Sequence, residues 1–416
     1  MVITLVVVGT RGDVEPHLAL GVGLKHSGFN VRMAAPLDFE EQITSYGIEF
    51  IPINVSLKKL YDSEAADGLL SSEINAIKLI TRLKQTAGAV VDQIINDTRV
   101  ACNNTDVVMY SPLALSSHYF AKDMGAISFP TCLQPLGRTV SFPAPVFDLK
   151  ICLPGFLNRF SYHVMEQGFW QVFRRYLDHK HPALGHFNSI YRPGNHSFFA
   201  ISPLVVPRPP DYRPSMHMTG FWRFDKADDN PSNSGEVPNE LRKFIEQGPA
   251  PICIGFGSMK GNRVSKIMHL FANIVREQSL RAIVLTGWNF DPEISSIFDK
   301  NNVFLTEQVP HSWLFPRVSL IIHHGGAGTL AAALYAGKPS LIIPFFFDQN
   351  YWAKLLNTRN LGPAPLNFRA LSKRSILSGL NESQRPDLLA NINAVQLEIK
   401  KEDGVSKTVG IIKQIV

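Results

Sequence analysis

The chain has 416 residues, 45% of them hydrophobic and 18% charged, enough for two well-packed domains of about 200 residues each. Its formal charge of +6 at pH 7 comes from Lys and Arg scattered along the chain, which excludes a dedicated nucleic-acid binder with a basic face and leaves room for weak attraction to anionic lipid or anionic small molecules. Four cysteines, Cys102, Cys132, Cys152 and Cys253, form no C-x-x-C pair, so neither a zinc site nor a disulfide framework is expected, and a reducing cytoplasm is the simplest setting.

The apolar start "MVITLVVVG" has no basic flank and stops after a few residues, so it reads as a buried first strand and not a leader. No apolar run is long enough to span a bilayer; the protein is expected to be soluble, or at most peripheral at a membrane. A glycine turn, "GTRGDVEPHLALG", then opens a helix and places Asp13 at its start. Three readings of Asp13 compete: an N-cap for a helix beginning at Val14, a dinucleotide ligand, or a general base. The second is weak, because "GTRGDV" is not G-x-G-x-x-G. His17, one helical turn on, is a rival base, and Arg11 is either an acceptor contact or a solvated charge.

Short apolar runs follow at intervals, separated by segments of helical period, which predicts parallel sheets covered by helices. In the first half they are "NVRMAAP", "IEFIPI", "DVVMYSP", "AISFPTCLQP", "SFFAISP" and "MHMTGF". The stretch from about 140 to 190 breaks this alternation with "SFPAPVFDLKICLPGF" and the helix-like "LNRFSYHVMEQGFWQVFRRYLDH". Its Phe156, Phe160, Val164, Phe169 and Phe173 recur at roughly helical spacing and are expected mostly in the core, with a minority reading that some line an apolar pocket. The polar "RFDKADDNPSNSGEVPNE" then has the composition of a linker. The expected division is 1–225, a linker at 226–238, and 239–416, the last helix packing back on the first domain.

The second half carries "PICIGFGS", "AIVLTG", "NVFLTEQ", "VSLIIHHGG" and "PSLIIPF" as strands. The strand "VSLII" runs through "HHGGAGT" into an Ala-rich helix, and a glycine turn at a helix N-terminus favours a bound anion. Alone this is weak evidence. It is joined by His324, able to bond a phosphate oxygen, and Thr329, a hydroxyl in the first turn. Farther on, "PFFFDQN" sets Asp348 and Gln349 beyond the next strand, where they can share hydrogen bonds with sugar hydroxyls or, for Asp348, cap a helix.

Together, "GTRGDVEPHLALG", "IGFGSM", "LTGW", "HHGGAGT" and "PFFFDQNYW" resemble, in order and spacing over nearly the whole chain, the GT-B nucleotide-sugar glycosyltransferases of family 1, in particular the sterol glucosyltransferase and bacterial natural-product branch. The resemblance implies two Rossmann-like α/β domains facing across a cleft, the first for the acceptor and the second for the donor. It implies that Gly326, Gly328 and Thr329 hold the diphosphate with His324, that Ser258 approaches the same phosphates, and that Gln308 and Val309 edge the base. Asp348 and Gln349 would read the sugar, and Trp288 would lie near the nucleotide, a core Trp being the competing reading. The plant members carry a Glu where this chain has Ala332, which leaves UDP or dTDP as the nucleotide open.

The position of Asp13 is that of the base in this branch. Arg11, Gly12, His17, Phe142 and Phe169 are the acceptor candidates. The implied reaction is a single displacement with inversion, moving a hexose, UDP-glucose being the expected donor, to a hydroxyl of a lipophilic acceptor such as a sterol, terpenoid or aromatic polyketide. No D-x-D motif is present and no metal or other cofactor is expected. The rivals are a nucleotide-sugar epimerase of the same architecture, a non-catalytic nucleotide-sugar binder, and a nicotinamide dehydrogenase.

Overall fold

The computed structural model describes residues 1–56, 88–147, 153–180, 195–224, 237–257, 262–287, 292–345 and 348–416. The chain forms two compact units, Met1–Phe224 with Glu402–Val416, and Asp225–Lys401. Residues 225–236, most of the expected linker, lie outside those described.

Each of the twelve apolar runs read from the sequence contains a strand. The first unit holds a parallel sheet in the order β3-β2-β1-β4-β5-β6-β7, from β1 (Val2–Val6), β2 (Asn30–Pro36), β3 (Glu49–Ile53), β4 (Val107–Tyr110), β5 (Ile127–Cys132), β6 (Ser197–Phe199) and β7 (Met216–Met218). The second holds β10-β9-β8-β11-β12, from β8 (Ile252–Gly255), β9 (Ala282–Leu285), β10 (Val303–Thr306), β11 (Leu320–His323) and β12 (Ser340–Ile342). Strands buried on both faces read as continuous apolar runs. In β11, Leu320 and Ile322 join the core on one face while Ile321 joins that on the other. The strand order reverses beside β1 in the first sheet and between β8 and β11 in the second; ligands of open α/β sheets sit outside the carboxyl ends of strands at such points.

The helix Gly404–Ile415, last in the chain, completes the first unit. Val405, Val409 and Ile412 are buried, and Gly23 of the first helix, Arg11–His26, leaves room for the Val405 side chain. Trp222 Nε1 donates to Thr408 Oγ1 at 2.9 Å and Thr219 Oγ1 at 3.0 Å. A Cβ at Gly404 would lie 2.5 Å from Phe221 O and 2.7 Å from Gly220 O, main-chain atoms that cannot rotate away. Gly404→Ala is therefore expected to cost about 1–3 kcal/mol, as overpacked sites do, read as an earlier denaturant midpoint; an unchanged midpoint would show that the helix shifts without cost.

The helix Gly155–Lys180 corrects one expectation. Phe156, Phe160 and Val164 are not core: they are 70%, 58% and 43% exposed. The buried face carries Asn158, Ser161, Tyr162, Met165, Glu166 and Trp170 instead. Polar residues can face inward here because each is bonded to the protein. Asn158 Nδ2 donates to Val140 O, Ser161 Oγ accepts from Ala144 N–H and donates to Asn158 O, and Glu166 pairs with Arg138. The side chain of Phe173 lies outside those described, and Phe169 packs half-buried against the core.

Candidate functional site

In the first unit the chain leaves β1 through Val7 and Val8, and Val8 N–H donates to Ser111 Oγ at 3.0 Å, tying this loop to the one after β4. The first helix starts at Arg11 with Thr10 as N-cap, which corrects the expectation of a start at Val14 with Asp13 as cap. Asp13 is the third helical residue: its Oδ2 accepts the Thr10 N–H at 2.9 Å, its own N–H donates to Thr10 O, and Thr10 Oγ1 lies 3.3 Å from Oδ2. This is a capping box, and its signal, Thr-x-x-Asp before an apolar run, was present in the sequence but unused. Gly9 is required by close approach, since a side chain there would collide with the Asp13 carboxylate. Asp13 itself is half-buried and reachable.

His17 is fully buried. Its Nδ1 lies 2.6 Å from Asp13 O, an acceptor only, so Nδ1 carries the proton; Nε2 lies 2.8 Å from Thr131 Oγ1. Both nitrogens are thus spent within the protein, and the reading of His17 as base or acceptor contact is corrected: its role is internal. Burial pulls its pKa down to about 4, only partly opposed by the bond to Asp13. Between pH 6.5 and 4 the unfolded chain then binds a proton that the folded one refuses, so stability must fall as pH drops through this window and level off below it. For this one group the loss is about 3 kcal/mol. Denaturation midpoints at pH 7, 5.5 and 4.5 check it, and a flat profile would contradict it.

Among the other acceptor candidates, Arg11 pairs with Glu15 at 2.7 Å, partly exposed, which favours the solvated charge. Gly12 is exposed, Phe142 half-buried in the loop before the long helix, and Phe169 belongs with the core.

In the second unit β11 delivers His323 and His324 to the glycine turn. His323 Nδ1 accepts the Gly325 N–H at 3.1 Å, fixing a turn in which Gly325 has φ +94°, a conformation for glycine. The ring of half-buried His324 lies between two glycines: a Cβ at Gly326 would come within 2.7 Å of its Nε2, and one at Gly257 within 3.3 Å of Cε1. Burial lowers the His324 pKa to about 4, with the charge of His311 a lesser cause, so the ring is neutral. Its Nδ1 is buried and has no hydrogen-bond partner among the described residues. Beside it begins the helix Ala327–Ala336, with Gly326 as an N-cap that has no side chain to cap with. Its first N–H groups lack helical partners. Gly328 is exposed, with nothing within 4 Å of where a Cβ would point, and Thr329 sits in the same first turn. A neutral imidazole, free N–H groups and open space therefore converge at the switch point of this sheet.

Gln349 packs against the turn, its Cβ 3.4 Å from the Cβ position of Gly325, and its Oε1 accepts the Phe345 N–H at 2.8 Å. Asp348 precedes the helix Gln349–Thr358 as N-cap by position only; its Oδ2 accepts from Trp352 Nε1 at 2.8 Å. Gln308 is exposed, while the Val309 side chain is in the core, leaving only its main chain for a ligand. Ser258 and Trp288 lie outside the described residues. Gly257, against the His324 ring, was overlooked; its place just before the Ser of "GFGS" at a strand end was the available signal.

The glycosyltransferase family 28 N-terminal domain model matches residues 3–102, and the erythromycin biosynthesis protein CIII-like C-terminal domain model matches 280–368. Sterol 3-beta-glucosyltransferase UGT80B1 of Arabidopsis thaliana is 30% identical over 98% of this chain and 67% of its own length. The chain belongs to the sterol glucosyltransferase-like glycosyltransferases. UDP-sugar-dependent glycosyltransferase 52 of Dictyostelium discoideum is another relative, at 28% over 99% of this chain. This member spans about two thirds of the plant relatives, 67% and 64%, but 26% of the Dictyostelium protein. The fold is GT-B, as in VinC in complex with dTDP, with TM-score 0.70 and 18% identity over 100% of this chain and 99% of that one. The glycosyltransferase of kitacinnamycin gives 0.71 at 14% identity, over 99% and 98%.

Proposed function

We propose that this enzyme transfers glucose from UDP-glucose to the hydroxyl of a sterol or similar lipophilic alcohol, with inversion at the anomeric carbon. Asp13 takes the hydroxyl proton, the freed oxygen attacks the anomeric carbon, and the bond from that carbon to the diphosphate breaks with its electron pair leaving on UDP. The charge that develops there is stabilised by the N–H groups of Ala327–Thr329 and by His324, neutral dipoles in place before the reaction starts. Asp348 and Gln349 bind the hexose. The sterol class is supported by the names of the relatives, and no metal is required.

The observation that carries the donor half is the buried, unpartnered His324 Nδ1 beside an uncapped helix N-terminus. A melting panel of nucleotides and nucleotide sugars tests it, since a ligand of the folded state raises Tm. UDP and UDP-glucose should shift Tm with or without EDTA. A shift with dTDP compounds alone would replace the donor, and one with NAD alone would remove the proposal.

A further inference from the structure

Among the buried residues of the first helix, His17 alone is polar. Burying an imidazole costs desolvation that an apolar side chain would not incur, so the bonds this ring makes tell what it does. One of them mends the turn that carries Asp13. Pro16, inside the helix, has no N–H to give to the Gly12 carbonyl, and that turn therefore lacks one bond of the helical ladder. The His17 ring adds a bond at the next carbonyl, its Nδ1–H donating to Asp13 O at 2.6 Å.

The far side of the ring is tied to the sheet. Its Nε2 lies 2.8 Å from Thr131 Oγ1 on β5, and the same hydroxyl lies 2.9 Å from Tyr110 O on β4. The ring also stands edge-on to Trp222, centroids 5.4 Å apart and planes at 85°, and Trp222 Nε1 donates to Thr219 and to Thr408 of the last helix. The Asp13 carboxylate is bounded on its own side by Gly9 and by the Thr10 N–H. A ring present only to fill the core would need neither of its polar bonds, since phenylalanine has no donor or acceptor to satisfy. We infer that His17 is a positioning residue, bracing the first turn of the helix against β4 and β5 so that the Asp13 carboxylate stays where an acceptor hydroxyl meets it, an inference that rests on Asp13 being the base.

The test measures UDP released from UDP-glucose with cholesterol as acceptor, for the wild type, His17→Phe, His17→Asn, Thr131→Val, the double variant His17→Phe/Thr131→Val and, alongside, Asp13→Asn. His17→Phe should lower kcat by roughly 10–100-fold, the effect of a misplacement of about 1 Å, with the KM for UDP-glucose and the UDP-induced Tm shift unchanged. His17→Asn, whose amide can still donate to Asp13 O, should recover part of the loss. Thr131→Val cuts the other end of the link and should lower kcat too, while the double variant should fall no further than His17→Phe, because both changes break one connection. Melting curves show which variants fold, and if His17→Phe does not, Thr131→Val and His17→Asn carry the comparison. Wild-type kcat in folded His17→Phe or Thr131→Val, or losses that multiply in the double variant, would overturn the inference while Asp13→Asn stays inactive. If Asp13→Asn turns over like the wild type, or the wild type is inert towards cholesterol, the proposed reaction itself fails and His17 has no base to position.

Discussion

Asp13→Asn is expected to lower kcat by roughly 10²–10⁴-fold, the range a general base supplies, equivalent to about 3–5 kcal/mol of barrier. The substitution separates the two roles of this side chain. An amide oxygen can still accept the Thr10 N–H that Oδ2 accepts at 2.9 Å, so the first helix keeps its start and stability should change by less than about 1 kcal/mol. The amide cannot take a proton from an alcohol. Loss of kcat with an unaltered nucleotide-induced Tm shift places the defect in chemistry and not in donor binding. An unchanged rate would reduce Asp13 to a helix cap.

His324→Ala should weaken binding of a nucleoside diphosphate by roughly 10–100-fold, since a hydrogen bond to a charged group is worth about 1.5–3 kcal/mol. The Tm shift produced by the nucleotide would shrink accordingly. The ring also fills space between Gly257 and Gly326, so the unliganded variant must be melted alongside and the comparison made on the ligand-induced difference. His324→Asn, which restores a donor in part of that volume, should recover some of the shift. Equal shifts in wild type and His324→Ala would move the diphosphate away from this turn.

Much of this molecule is written locally. Strands buried on both faces must be apolar throughout, so "ITLVVVG", "VSLII" and the others announced themselves, and glycines at strand ends announced the turns. The chemistry-bearing motifs were equally legible because they depend on short spacing: a histidine, a glycine turn and a hydroxyl within six residues of one strand-to-helix junction. What the sequence by itself determined is therefore two parallel α/β units, their strands, and the positions of Asp13 and His324 at strand-to-helix junctions.

Tertiary structure decided the rest, wherever a residue's neighbour is distant in the chain. Nothing local distinguishes a reachable His17 from one buried against Thr131, 114 residues away. The helix Gly155–Lys180 misled by its aromatic spacing, since the inward face was chosen by polar partners in the 138–144 loop that bond Asn158 Nδ2, Ser161 and Glu166. The last helix joins the first unit through Trp222 and Thr408, 186 residues apart. Periodicity tells how many faces an element has; which face is buried depends on the surface it meets and on whether that surface satisfies the groups it covers.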